Sequence, residues 1–338
     1  MRDHNPDSHR QVIIHVTSCE THAKAWRHQE HLLAELWEKS SRVHQLTRNP
    51  SEADIIIVGN IREEDQSLSL RRHPVIGKYP NKCYAVDERD DWPSLPFLPG
   101  VYASAHRKLP LANRYCSGSY ALYHKDFKNP YVEDRNLEGY SCEKRYLASF
   151  AGRRSHKVRD ALLNLRPEDE TILLADTSTF NLFTHTGVDK SAQQERYSTI
   201  LTQSKFAICP RGAGASSVRL FEAMKSGVAP VIISDDWIVP VGPDWESFSI
   251  SIKEAEIDKV EPTLLRNESR YREMGRNAEK AYGEYFAPDK YFDYLIEQIL
   301  LIRRRPRLIP QSLIWGSRDL LAKYTRWRDA ARRRLTKR

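Results

Sequence analysis

Short unbroken apolar runs alternate along this chain with longer stretches of helical spacing. The runs cover residues 11–16, 53–58, 83–86, 146–150, 171–175, 205–209, 229–233 and 248–252. Each is too short for a buried helix and predicts a strand, and runs such as 53–58 and 229–233 lack the alternation of a half-exposed strand, as expected for strands covered on both faces in a parallel sheet. Between them, Trp26, Leu32, Leu33 and Trp37 recur at helical spacing behind Ser18 or Thr21 as a cap. Residues 156–165, 191–204, 217–226, 263–285 and 288–304 repeat that pattern, with Tyr197, Ile200 and Leu201 inward in the second of these. Strand then helix, repeated, builds a parallel sheet, and the fold class is α/β. Residues 92–145 interrupt the series with Pro93, Pro96, Pro99 and Gly100, which predict loops and short elements. The chain divides into a first Rossmann-like half at residues 1–145, a second at 146–302 and a remainder at 303–338.

The stretch KFAICPRGAGASSVRLFEAMKSGVAPVIISDDW, residues 205–237, carries most of the chemistry. A strand stops at Pro210, which cannot donate to the ladder. Gly212 and Gly214, followed by Ser216 and Ser217, permit a tight bend that opens a helix and leaves amide N–H groups without internal partners. Such a turn favours an anion, and Arg211 beside it offers a charge-assisted contact. In the helix at 217–226, Val218, Phe221 and Met224 are expected to face the sheet, Arg219 and Glu222 lie on a different face, and Gly227 supplies a left-handed stop. The next strand, 229–233, ends at Ser234, Asp235 and Asp236, on the edge where open parallel sheets bind ligands.

In order, C-P-R-G at 209–212, a serine-containing turn, R-L-F-E-A at 219–223, Gly227, P-V-I-I-S-D at 230–235 and Trp237 closely resemble the donor-binding segment of the exostosin family of glycosyltransferases. PFLPGVYASA at 96–105 is similar to that family's N-terminal sequence. The resemblance implies the GT-B architecture, two Rossmann-like domains facing a cleft, in agreement with the two strand-helix series. It also implies transfer of a sugar from a nucleotide-sugar, a UDP- or GDP-sugar, to a glycan or lipid-linked glycan hydroxyl, with inversion and no separate cofactor. Glu222 matches the glutamate of the family's block, which implies hydrogen bonds to the ribose hydroxyls.

Glycosyl transfer needs the departing diphosphate stabilised and the acceptor hydroxyl deprotonated. For the diphosphate the candidates are Arg211, the backbone of Gly212, Gly214, Ser216 and Ser217, and Arg153 at the end of the 146–150 strand. Arg219 and Glu222 are assigned to the donor, with an i,i+3 pair between them as the structural alternative. Asp235 and Asp236 either contact sugar hydroxyls or begin the next turn. For the base, Asp87 ranks first, ahead of Glu88, His15 and His22. No H-E-x-x-H occurs and no D-x-D triplet follows a strand, so metal dependence is not expected. Five cysteines without a C-x-x-C pair point to reduced thiols.

Charge separates the remainder from the body. The net charge is +8, and residues 303–338 hold 13 Lys plus Arg against Asp319 and Asp329, which is +11 and leaves −3 for residues 1–302. Leu313, Ile314, Trp315, Leu320, Leu321, Tyr324 and Trp327 recur among those cations, a pattern of attachment to an anionic membrane surface or of packing back onto the body. The acidic body argues against nucleic acid as a partner. No apolar run is long enough to span a membrane and the N-terminus is polar, so the expectation is a cytoplasmic chain, peripheral at the inner membrane face, in surface polysaccharide synthesis. The competing expectation is a non-catalytic nucleotide or glycan binder docking through the basic remainder.

Overall fold

The computed structural model describes residues 11–18, 29–59, 72–88, 90, 98–108, 112–122, 128–133, 141, 143–180, 187–306, 309 and 313–314. Its strands are β1 Ile13–Ser18, β2 Gln45–Leu46, β3 Ile55–Gly59, β4 Cys83–Asp87, β5 Gly100–Tyr102, β6 Tyr115–Cys116, β7 Tyr146–Gly152, β8 Ile172–Asp176, β9 Ser204–Pro210, β10 Ala229–Ile233 and β11 Ile250–Ser251. They form two sheets, β2-β1-β3-β4-β5-β6 and β11-β10-β9-β7-β8, in which every pairing is parallel. Both are doubly wound, and strand order reverses between β1 and β3 in one and between β7 and β9 in the other. β3, β4 and β10 are buried at every position, which is why their sequences read as continuous apolar runs. Of the four outer strands, β2, β6 and β11 have two residues each and leave little open edge, while β8 has five.

The helices are α1 Gln29–Lys39, α2 Lys157–Asn164, α3 Gly187–Thr202, α4 Val218–Lys225, α5 Val260–Asn267, α6 Tyr271–Ala281 and α7 Tyr291–Arg304, with a one-turn helix at Pro130–Glu133. The single helix expected at 263–285 is broken by a 3-10 turn at Glu268–Arg270 and closes in a π turn at Tyr282–Phe286. His156 caps α2 by accepting the Val158 N–H. Gly227 takes φ +63° directly after α4, the left-handed stop its position predicted.

Each half has a hydrophobic cluster of its own, and a third cluster belongs to both. One cluster runs from Ile14, Leu33 and Val101 of the first half through Phe221 and Met224 of α4 to Phe286, Tyr291, Leu295 and Ile299. α7 accounts for this, because it crosses back onto the first sheet: its Tyr291 hydroxyl accepts from the Ser119 N–H at 2.8 Å, and Arg305 donates to the Tyr115 oxygen at 3.2 Å. The boundary at 302 thus divides the chain by sequence, while α7 belongs physically with the first half. The start of the basic remainder also packs on the body: Arg114 reaches the Ile309 oxygen at 3.5 Å and Ile314 is buried. Residues 315–338, which carry most of its charge, lie outside the described residues, as do Thr21, His22 and Trp26. Among the described residues, no helix is long and apolar enough to cross a membrane.

The carboxyl edges of the two sheets meet. Trp237, just past β10, is 2% exposed and donates its indole N–H to the Ala103 oxygen past β5 at 3.1 Å. Beside it the Arg107 N–H donates to Asp236 O at 2.6 Å and the Ile238 N–H to Ala105 O at 2.9 Å.

Candidate active site

The bend between β9 and α4 sits where strand order reverses, at the carboxyl edge of the second sheet. Gly212 N–H closes it on the Ser216 oxygen at 3.2 Å, and the Ser234 hydroxyl ties it to the end of β10 by donating to Ala215 O at 2.6 Å. Ser217 precedes α4 in extended geometry and makes no side-chain cap, so the first-turn amides have no hydroxyl partner there. The Ser216 hydroxyl is buried and unbonded. The turn therefore presents donors without acceptors, which suits an anion.

Two guanidinium groups lie beneath it. Arg159 of α2 donates from Nε to Arg211 O at 2.9 Å and from Nη2 to Pro210 O at 3.3 Å. Arg219 of α4 donates to Ala151 O. Both stand over the Phe150 ring, at 5.7 Å and 4.6 Å from its centroid. Burial, with Arg219 nearby, pulls the Arg159 guanidinium down to about 10, which still leaves it charged at neutral pH. Neither makes an ion pair with a carboxylate among the described residues. Both guanidinium groups spend hydrogen bonds on carbonyls, and the Asp90 carboxylate acts on Arg159 from the first half, so this edge is one where anions are attracted.

Glu222 lies one turn along α4 from Val218. Its Oε2 accepts from the Tyr197 hydroxyl at 2.7 Å, and the i,i+3 pair with Arg219 is not formed, since Arg219 turns to the β7 carbonyl. Burial raises the Glu222 carboxyl, while the Tyr197 bond and the Arg219 charge oppose that rise. Val218 and Glu222 line a cavity of about 190 Å³ between α1 and α4, with Leu36, Tyr120, Lys128 and Phe221. Val218, expected against the sheet, faces this cavity instead.

Arg211 is directed elsewhere. Its Nη1 lies 3.6 Å from Glu254 Oε1 and 4.0 Å from Asp236 Oδ2, and Asp236 also holds Lys108 of the first half at 2.7 Å. The Lys108 bond, chiefly, depresses the Asp236 carboxyl. Asp235 accepts the Glu254 N–H at 3.0 Å and donates its own to Glu254 Oε1 at 3.2 Å. Asp235, Asp236 and Glu254 line a separate opening that shares no residue with the Glu222 cavity. The structure thus keeps Gly212, Gly214, Ser216 and Ser217 in one turn with Arg219 at the start of the helix it opens, places the Glu222 carboxylate in the cavity between α1 and α4, and sets the side chains of Arg211, Asp235 and Asp236 apart. Arg153 is exposed just past β7, without a carboxylate partner among the described residues.

Asp87 is the last residue of β4 and is only 2% exposed. Glu88 accepts the Leu122 N–H at 2.6 Å, and His15 is hydrogen-bonded to Thr47 O at 3.0 Å. The acid that reaches the glycine turn is Asp90, whose Oδ1 accepts from the Ser104 hydroxyl at 2.5 Å and the Tyr120 hydroxyl at 2.9 Å. Sequence reasoning missed Arg159, although it shares a helical face with Leu162 and Leu163, an unusual place for a cation. It placed Tyr197 inward on its helix without giving it a partner, and it gave no role to Tyr120. Among the described residues no group of His, Cys, Asp or Glu is placed to hold a metal.

Residues 115–267 match the Exostosin GT47 domain, a span that includes the turn, Arg159 and Glu222. The chain is 32% identical over 172 residues to a probable glycosyltransferase of Arabidopsis thaliana, covering 48% of this chain and 34% of that protein. It is 30% identical over 188 residues to the Exostosin-1 homolog of Caenorhabditis elegans, covering 49% and 48%. The chain therefore spans half or less of the length of these relatives. Among solved structures it is similar to an α1,3-fucosyltransferase with a TM-score of 0.41 and 14% identity, covering 93% of this chain and 94% of that one.

Proposed function

We propose, from the match of residues 115–267 to the Exostosin GT47 domain, that this chain transfers a sugar from a nucleotide-sugar donor to a glycan hydroxyl. The donor's diphosphate rests on the turn from Gly212 to Ser217, with amide donors and the α4 dipole in front and Arg159 and Arg219 beneath. As the acceptor oxygen bonds to the anomeric carbon, the bond from that carbon to the diphosphate oxygen breaks with its electron pair, and the hydroxyl proton leaves to a base in the cleft. Fixed cations and amides at the leaving oxygens offset the charge that grows there, without a metal being required for that task. Glu222 lies about 6 Å along α4 from Val218 at 1.5 Å per residue, a reach suited to the ribose of the same donor.

One observation carries this reading: two guanidinium groups that donate to main-chain carbonyls, and that form no ion pair among the described residues, lie by a glycine turn at the reversal point of the sheet. A UDP- or GDP-sugar donor, an inverting course and a lipid-linked acceptor are extensions of it. Support for a membrane-borne acceptor is the +11 charge of residues 303–338 with its interleaved Leu and Trp residues. The test is release of UDP or GDP from a panel of nucleotide-sugars, with and without glycan acceptors. Turnover that disappears in Glu222→Ala supports the transferase, whereas binding without turnover of any donor leaves a nucleotide binder.

A further inference from the structure

Asp90, three residues past the end of β4, reaches across from the first half and touches the glycine turn of the second. A Cβ on Gly214 would stand 2.5 Å from Asp90 Oδ1 and 2.5 Å from Ser104 Oγ. A Cβ on Gly212 would stand 3.2 Å from Arg159 Nη2 and 3.8 Å from Asp90 Oδ2. The two carboxylate oxygens therefore lie against the two glycines, on the side where the Arg159 guanidinium also arrives. Ser104, fully buried, and Tyr120, 5% exposed, hold Oδ1 in place by donating their hydroxyls. The result is an anion with two acceptor oxygens, tethered at a turn whose amides and cations suit an anion.

A diphosphate cannot share that seat. Even a Cβ added to Gly214 would collide with the carboxylate, so no further heavy atom fits between them, and two anions so close repel. A base for an inverting displacement must lie across the anomeric carbon from the leaving group, whereas Asp90 is pressed against the leaving group's own turn. We propose that Asp90 is a built-in competitor for the donor's diphosphate: it fills the anion seat in the empty protein, and the donor binds only by displacing it. This rests on the donor-site reading above and adds that donor affinity is set by a residue of the first half.

Titration calorimetry with UDP, GDP and inorganic pyrophosphate, on wild type, Asp90→Asn and Asp90→Ala, tests it. The expected result is nucleoside diphosphate binding about tenfold or more tighter in both variants, the scale on which one close like charge shifts an equilibrium. Tyr120→Phe combined with Ser104→Ala keeps the charge but frees the carboxylate, and should give a smaller tightening. Where a donor is turned over, its KM falls in Asp90→Asn. Equal, nonzero affinity in wild type and both Asp90 variants overturns the competitor and leaves the donor site standing. Weaker binding in the variants also overturns it, and makes Asp90 a donor ligand. No binding of any probe to any of these proteins overturns the donor site and the competitor together.

Discussion

Arg159 donates from Nε to the main-chain oxygen of Arg211 at 2.9 Å, and that bond joins the first helix of the second half to the strand end that feeds the glycine turn. The second donation, to Pro210 O at 3.3 Å, makes the guanidinium a bracket across both residues. Arg159→Ala leaves two carbonyls without donors, and the unfolding free energy in urea should fall by about 1–3 kcal/mol. Arg159→Lys keeps the charge, but a single ammonium lacks the planar fork, so it should recover only part of the loss.

Glu222 predicts a pH dependence. Burial raises its folded-state carboxyl above the ordinary 4.5. The folded protein therefore binds that proton more tightly than the unfolded chain, and the stability tied to it is fully present below the ordinary value and lost as pH rises through the raised one. Glu222→Gln removes the ionisation, so its stability relative to wild type should climb as pH rises from 4.5 towards neutrality. Tyr197→Phe takes away a hydrogen bond that opposes the rise and should steepen the wild-type loss. Urea unfolding at two pH values reads both.

Trp237 welds the carboxyl edges of the sheets. It is 2% exposed, bonded to Ala103 O, and meets Phe221 and Trp245 edge to face at 6.4 Å and 5.6 Å. Trp237→Ala should cost about 3–5 kcal/mol, as other large buried truncations do. Scanning calorimetry should then show a lower midpoint, and a separate transition for each half would show that this side chain couples them.

Gly214 has no room for a side chain. Gly214→Ala drives a methyl into Asp90 and Ser104, and overpacking of that kind costs about 1–3 kcal/mol. Asp90→Ala in the same chain should recover part of the loss, because residues in contact are not additive.

What was legible in the chain follows from what is local. The buried strands announced themselves because a covered strand has no polar face, and β10 lies where its apolar run predicted. The stop at Gly227 needed only its own backbone angle. β2, β5 and β6 were not legible, since two or three residues carry no period and only pairing with a neighbour makes them strands. Nor was the destination of α7, whose apolar face fits either sheet until Tyr291 finds Ser119. At the site, the glycine turn was readable from its residues and Glu222 was singled out by the family resemblance, but the direction of a side chain was not readable. Arg211 turned to Glu254 and Asp236, and Arg159 from another helix took the place expected of it. Among four clustered acids after β4, nothing in the pattern favoured Asp90 over the buried Asp87.

The central claim is that the glycine turn with Arg159 beneath it holds a diphosphate. Titration of UDP and GDP into wild type, Arg159→Ala and Arg211→Ala tests it most directly. Saturable binding of at least one nucleotide, weakened about tenfold or more by Arg159→Ala and much less by Arg211→Ala, is the predicted result. Binding that Arg159→Ala leaves intact, or no binding to the wild type, would contradict it.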